Sequence, residues 1–174
     1  MLGGGAAIVI VAALGRPVNS NNQTAAEEFA ATLASVRSLA PGQSAEISFT
    51  EDQISSYFHL VIEPTLNGQI TDGQVRLLDS GQLLISGHAS QLDGARFAAT
   101  FAPQQNVPRA PLRLTGALVR LVPLGNSPLG WVPVPTGALQ PMADSLNSLF
   151  GNVEFTNVRP HPDTHAWDVT VMGQ

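Results

Sequence analysis

The sequence predicts an α+β protein with a curved antiparallel sheet, helices packed on one face of it, and an N-terminal apolar anchor segment ahead of the domain. Three observations predict this class. Apolar residues recur at helical spacing near residues 24–40, 50–64 and 139–150, and they alternate with polar residues between these stretches. Strand and helix patterns do not alternate along the chain, which favours antiparallel pairing. The first fifteen residues are apolar and uncharged.

Composition excludes several functional classes. The 174 residues carry a formal net charge of −5, and the eight basic residues, all arginines, are spread singly along the chain. Because no basic block could follow a phosphate backbone, nucleic acid is excluded as a predicted partner. The chain has no cysteine, so disulfides, thiolate metal sites and cysteine nucleophiles are excluded as well. No cofactor is predicted.

The apolar start divides the chain into three parts. We expect a membrane anchor over residues 1–15, a polar spacer over residues 16–23 and a single α+β domain over residues 24–174. A helix that spans a membrane needs about 20 apolar residues, so the anchor is an incomplete span. The alternatives are a cleaved signal, or a strand or helix buried in the domain. An anchor predicts a protein tethered to a membrane.

Two capping motifs predict the starts of the first two helices. Thr24 and Glu27 have the spacing of a capping box, and so do Thr50 and Gln53. The first helix carries an apolar stripe of Phe29, Leu33 and Val36. The inner face of the second is expected to be Ile54, Tyr57 or Phe58, and Val61. A third helix is predicted from Leu139, Met142, Leu146, and Leu149 or Phe150, with Gly151 after its end. Pro141 is expected either to lie in the first turn of this helix or to kink it.

Alternating apolar residues predict the strands. A short strand carries Ala45, Ile47 and Phe49; a meander follows with Val75 and Leu77, then Leu83, Ile85 and Ala89, then Phe97, Ala99 and Phe101; and a final hairpin carries Val153 and Phe155, then Trp167, Val169 and Val171. Asp79-Ser80-Gly81 and Asp93-Gly94 supply turns in the meander.

One strand is apolar on both sides. In residues 112–124, Leu112, Leu114 and Leu118 are expected on one face, and Ala117, Val119 and Leu121 on the other. Such a strand must be covered by a helix, by a second sheet or by something that is not protein. The following loop carries Leu129 and Trp131, which either pack as core or form the mouth of an apolar groove.

Catalytic motifs are missing, and we therefore expect a protein that is not an enzyme. There is no nucleophile elbow, phosphate loop, metalloprotease motif or dinucleotide fingerprint. His161, Asp163 and His165 alternate and could converge on a metal ion or serve a hydrolase, but a polar hairpin turn explains them better, and no metal site is predicted. His59 and His88 are interpreted as structural residues.

The chain resembles the YpmS-like family of membrane-anchored extracytoplasmic bacterial proteins. The resemblance rests on TEDQISSYF at 50–58, GQVRLLDSGQLLISG at 73–87, LRLTGALVRLVPLG at 112–125 and PVP at 133–135, and it extends from Ser44 to the C-terminus. Such proteins look like one half of a tubular lipid-binding fold. The resemblance implies binding of a lipid or another amphiphile near a membrane, and it implies no catalytic residues.

Two functions follow as hypotheses. The first is an apolar groove for lipid tails, lined by Val119, Leu121, Leu129, Trp131, Leu139, Met142 and Leu146. The second is a cell-envelope interaction or scaffold domain that docks a partner protein and binds no small molecule. An exposed, flat apolar patch would favour the second hypothesis over the first.

Overall fold

The computed structural model describes residue 10, residues 12–120 and residues 130–174. Its helices are α1 (Gln23–Arg37), α2 (Glu51–Tyr57), α3 (Glu63–Thr65) and α4 (Gln140–Phe150). A π-helical turn at Phe58–Ile62 joins α2 to α3, and 3-10 turns lie at Ser90–Leu92 and Thr136–Leu139. None of the helices in the described part of the chain is long and apolar enough to cross a membrane.

Antiparallel strands form two sheets. The strands are β1 (Ser44–Thr50), β2 (Ile70–Leu77), β3 (Leu83–Ala89), β4 (Ala95–Pro103), β5 (Leu112–Arg120), β6 (Trp131–Pro133), β7 (Val153–His161) and β8 (Ala166–Gly173). The smaller sheet has the order β1-β8-β7, and the larger has the order β2-β3-β4-β5-β6. A parallel bridge between Gln105 and Phe155 links them, and the Asn106 N–H donates to the Phe155 carbonyl at 2.8 Å.

The α+β class and the antiparallel pairing are confirmed, but the prediction of a single sheet is wrong. The reason lies at Thr50, which ends β1 and also caps α2. The helix follows β1 without a turn, so β1 and β2 are not joined as a hairpin. Strand β1 pairs instead with β8 along its whole length. The meander β2 to β6 therefore forms a sheet of its own.

The main core lies between the helices and the inner faces of both sheets. Helices α1, α2 and α4 all contribute buried side chains to it. Phe29 of α1 packs edge-to-face against Phe49 and Tyr57, with ring centroids 5.3 Å apart in each pair, and Phe150 does the same against Phe155 at 5.1 Å. The apolar stripe predicted for the first helix is confirmed, since Phe29, Leu33 and Val36 are all buried.

Of the two capping boxes predicted from the sequence, the structure contains one. The capping box at Thr50 is confirmed, with the Thr50 hydroxyl accepting from the Gln53 N–H and the Gln53 side chain accepting from the Thr50 N–H. The box predicted at Thr24 is wrong. Asn22 caps α1 instead, its side chain accepting from the Ala25 N–H at 3.1 Å. Asparagine caps helices at least as well as threonine, and it comes first in the chain.

The inner face predicted for the second helix is confirmed at Ile54, Tyr57 and Phe58, but the prediction is wrong for Val61. Val61 is 41% exposed, whereas Ile62 is 9% exposed and belongs to the core. The Glu63 N–H donates to the carbonyl of Phe58, five residues back. A π turn holds one more residue than an α turn, so the next inward position moves from 61 to 62.

Strand β5 changes faces at a bulge. Thr100 pairs with Gly116 and Phe101 pairs with Leu114, which leaves Thr115 as an extra residue. Because an extra residue inverts the alternation, Leu112 and Val119 share the inner face and Leu118 lies on the outer one. The prediction that Leu112, Leu114 and Leu118 share a face is therefore wrong. The prediction that the second half is buried on both faces is confirmed for residues 117–119.

The outer face of the larger sheet carries a second, smaller apolar cluster. It contains Leu78, Leu84, Ala98 and Leu118, with Ile10 buried against them and Ala13, Leu14 and Trp131 partly buried around them. Residues 12–14 are helical. In this structure the chain's own N-terminal segment therefore covers the outer face of the doubly buried strand.

Candidate functional site

A cavity of about 160 Å³ opens beside helix α4. Its apolar lining comes from five different parts of the chain: Leu66, Ile70, Ala89, Leu92, Leu139 and Met142. Its remaining lining residues are Gln69, Gln91, Pro141 and Ser145. Ile70, Ala89, Leu139 and Met142 are buried, whereas Gln69, Gln91 and Pro141 are exposed. The cavity thus has an apolar floor and a polar rim that faces solvent.

Helix α4 supplies one wall of the cavity. Pro141 lies in its first turn, where a missing N–H costs no helical hydrogen bond. Met142 and Ser145 are three residues apart and therefore lie on one side of the helix. The side chain of Asn147 exchanges two hydrogen bonds of 2.9 Å with the backbone of Leu112, which fixes the helix on strand β5.

The opposite wall is formed where β2 begins and β3 ends. The backbone N–H of Gln69 donates to Leu66 at 2.9 Å, and the Gln69 carbonyl accepts from Ser90 at 3.0 Å. Asp93 and Gly94 then reverse the chain, with φ angles of 52° and 71°. Aspartate and glycine tolerate this left-handed conformation better than most residues. These turns place Leu66 and Leu92 beside the cavity.

The structure brings only part of the predicted groove together. Leu139 and Met142 line the cavity described above. Leu146, one turn further along α4, borders a void of about 10 Å³ in the core. Val119 is buried in the core without lining the cavity, and Trp131 lies on the outer face of the larger sheet. Leu121 and Leu129 lie outside the described residues.

Eight of the ten lining residues escaped the sequence prediction, among them the apolar residues Leu66, Ile70, Ala89 and Leu92. Ile70 and Ala89 are the first and last residues of their strands and pair with each other. Leu66 and Leu92 lie in irregular segments, where no apolar period marks a side chain as inward. The turn signals next to them, Asn67-Gly68 and Asp93-Gly94, were the only hint that the chain folds back there.

Among the residues that the structure describes, no charged side chain lines the cavity. Two ionisable groups near it in sequence, Glu63 and His88, have partners elsewhere. Glu63 accepts from the backbone N–H groups of Asp72 at 3.2 Å and Gly73 at 2.7 Å, and it lies 3.0 Å from the His59 ring. His88 lies 3.3 Å from the Asp72 carboxylate. The interpretation of both histidines as structural residues agrees with these contacts.

A cluster of charges lies on the outer face of the larger sheet, away from the cavity. Arg76 is only 2% exposed and donates to the carbonyl of Arg16, to Gln74 and to Ser86. Burial lowers the pKa of Arg76, while the nearby Glu51 carboxylate opposes that shift. Burial also raises the pKa of Glu51, against the opposing effects of its hydrogen bond from Leu77 and of Arg16.

The alternating residues of the final hairpin do not converge. His161 lies 2.7 Å from Asp168, and the ring of His165 contacts the guanidinium of Arg16. Asp163 is exposed. A hydrogen bond from Ser48, and then one from His161, lower the pKa of Asp168. Among the described residues, no group of three or more histidines and carboxylates could hold a metal ion.

Comparisons with family models, with curated proteins and with solved structures found no match to this chain. The resemblance to the YpmS-like family therefore stays a prediction. The functional argument rests on the chemistry of the cavity and of the surfaces around it.

Proposed function

We propose that this domain binds an amphiphile and holds one end of its hydrocarbon chain in the cavity beside α4. The observation that carries the proposal is the cavity of about 160 Å³ beside α4, which has an apolar floor and opens to solvent at its rim. A larger depression of about 370 Å³ at the end of β2 is lined partly by the charged and polar residues Arg16, Asp79, Ser80 and His165. An enclosed apolar cavity of roughly 150 Å³ accepts a molecule the size of benzene, and the open cavity beside α4 has a similar volume. The floor formed by Ile70, Ala89, Leu139 and Met142 therefore suits about six carbon atoms of a chain.

The size of the cavity limits what it takes up. Pockets that enclose a whole drug-sized ligand usually measure roughly 300 Å³ or more. A complete diacyl lipid would exceed the volume by far, so only the end of one chain enters, and the rest of the ligand lies over the rim at Gln69 and Gln91. The proposal assigns the domain a binding role, for which the described lining supplies apolar side chains, two amides and a hydroxyl.

The scaffold hypothesis receives less support from the surface. If a partner protein docks on this domain, a contiguous apolar patch is expected on its surface. Val61 is the one large hydrophobic residue that is exposed in the described part of the chain. The apolar cluster on the outer sheet face is covered by Ile10.

Tethering to the extracytoplasmic face of a membrane is a separate part of the proposal. It is supported by the uncharged apolar stretch of residues 1–15 and the polar spacer after it. The same residues cannot enter a bilayer and also bury Leu84 and Leu118, so insertion would uncover the outer sheet face. Alkaline extraction of bacterial membranes that carry the full chain tests this part. Retention in the membrane pellet supports tethering, and release into the supernatant contradicts it.

The binding proposal is tested by native mass spectrometry of the full chain, purified from a bacterial host and followed by organic extraction. The proposal is supported if an amphiphile co-purifies with the wild type in stoichiometric amount and is lost when a residue of the cavity wall is substituted. The matched pair Ser145→Leu and Ser148→Leu provides that comparison, because both serines lie on α4 and each donates to a carbonyl of the preceding turn. Of these two serines, only Ser145 lines the cavity. Equal amounts of ligand on both variants would contradict the proposal.

A further inference from the structure

We infer that the amphiphile bound in this cavity carries an uncharged, hydrogen-bonding head group, such as an alcohol or an amide, on a chain of about six carbons. The inference rests on the proposed function and adds the class of ligand to it. It follows from three properties of the described lining: the absence of charge, the kind of polar groups at the rim, and the volume of the floor.

Charge is the first property. None of the eight arginines lines the cavity, and the chain has no lysine. Arg76 extends to the far side of the larger sheet, because its neighbours Val75 and Leu77 face the inner core. A carboxylate or phosphate at the cavity mouth would therefore meet no cationic side chain of the described lining, and any water that it gave up there would not be replaced by an ion pair.

Nearby acidic residues add to this effect. Asp93 follows the lining residue Leu92, and Asp144 precedes the lining residue Ser145. Both carboxylates are exposed, and Asp144 accepts a hydrogen bond from Gln140 at 3.0 Å. They repel an anion at the rim. They do not create a cation site either, because exposed carboxylates pair only weakly with a cation that must give up its own hydration.

The polar groups at the rim are the second property. Gln69 and Gln91 present side-chain amides, which both donate and accept hydrogen bonds. The hydroxyl of Ser145 donates to the carbonyl of Pro141 at 2.9 Å and keeps its lone pairs for an incoming donor. A hydroxyl or amide head group matches this set, since it can both donate and accept.

Volume, the third property, sets the chain length. Each methylene removed from water contributes about 0.8 kcal/mol, or roughly a fourfold gain in affinity. The gain in affinity continues until the cavity of about 160 Å³ is filled, at about six carbons. Longer chains extend past the exposed Pro141 and gain less per carbon. Affinity therefore rises steeply from butanol to hexanol and levels off beyond it.

The test uses the methyl groups of methionine as probes in the full chain. Met142 lines the cavity, and Met172 lies on β8 in the smaller sheet, so the second methyl serves as an internal control. The chain, labelled with ¹³C at the methionine methyls, is titrated at pH 7 with 1-hexanol, hexanoate and hexylamine. The signal of Met142 is followed to saturation for each ligand, with that of Met172 as reference.

We expect hexanol to shift the Met142 signal saturably while the Met172 signal stays in place, and both charged ligands to require at least tenfold higher concentrations. Saturation by hexanoate or hexylamine at the same concentration as hexanol overturns the head-group inference and leaves the proposed function standing. No response of Met142 to any of the three ligands overturns both. These outcomes separate the failure of the inference from the failure of the function.

Discussion

The buried carboxylate of Glu51 binds the guanidinium of Arg16 and also accepts a hydrogen bond from the backbone N–H of Leu77 at 2.8 Å. Arg16 ends the segment that covers the outer sheet face, Glu51 is the first residue of α2, and Leu77 ends β2. A single carboxylate thus connects the N-terminal segment, a helix and the larger sheet.

This arrangement predicts an unusual dependence of stability on pH. Because burial raises the pKa of Glu51, the folded chain binds this proton more tightly than the unfolded chain does. The contribution of Glu51 to stability is therefore complete below its unfolded pKa, and it is lost as pH rises through the folded pKa. In Glu51→Gln this dependence disappears. The measurement is the free energy of unfolding of wild type and variant, by urea denaturation, between pH 4 and pH 8.

Asp52→Asn controls for the loss of one negative charge, because Asp52 lies in the same helical turn and is exposed. The stability of wild type relative to Glu51→Gln should fall as pH rises. A difference that is constant over the whole range would show that the buried carboxylate titrates alike in the folded and unfolded chains.

The N-terminal segment provides a second prediction. Ile10 is 5% exposed and packs against the cluster that contains Leu84 and Leu118, whereas Ala12 is exposed. We expect Ile10→Asp to lower the free energy of unfolding by about 2 kcal/mol, the value of one buried aliphatic side chain. It should also expose the outer sheet face, which is measured by the fluorescence of a hydrophobic dye. Ala12→Asp adds the same charge to the exposed side, and equal effects of the two variants would argue against packing of this segment.

The close packing around Gly73 provides a third prediction. A Cβ atom at this position would lie 2.5 Å from the ring of Phe58 and 2.9 Å from the Glu63 carboxylate. Gly73→Ala should therefore cost about 1–3 kcal/mol, as overpacked sites usually do. For a chain of this size that lowers Tm by roughly 2–4 °C per kcal/mol.

Gly137→Ala is the matched control for Gly73→Ala, since a Cβ at Gly137 meets no atom within 4 Å. Thermal unfolding followed by circular dichroism measures both variants. If Gly73→Ala melts at the same temperature as Gly137→Ala, the close contact between β2 and the π turn is not present in solution.

Local signals allowed much of this fold to be predicted from the sequence. The Thr50 capping box needs only four consecutive residues, and alternation within a strand needs only its own side chains. The predictions of inward-facing residues were wrong where one extra residue shifts the spacing of the apolar side chains. This happens in the π turn that ends at Ile62 and at the Thr115 bulge in β5. Neither insertion leaves a mark in the apolar pattern, because hydrophobic residues stand on both sides of it.

The candidate site was harder to predict than the fold. Leu139 and Met142 were found because they share one face of a helix. Trp131 was assigned to the same groove because its apolar loop follows the strand with two apolar faces. Strand β6 instead places Trp131 across the sheet, where the guanidinium of Arg120 lies 5.9 Å from the centre of its ring. Leu66 and Leu92 reach the cavity only through turns, and tertiary contacts of that kind cannot be read from periodicity.

The most direct measurement of the central claim is the titration of the Ser145→Leu and Ser148→Leu variants with 1-hexanol, followed through the methyl signal of Met142. Leucine at Ser145 should fill part of the cavity and abolish saturable binding, while leucine at Ser148, which is exposed and one turn away, should leave binding as in the wild type. Saturation of Ser145→Leu at the wild-type concentration would contradict the account, because the hydrocarbon chain would then bind somewhere other than this cavity.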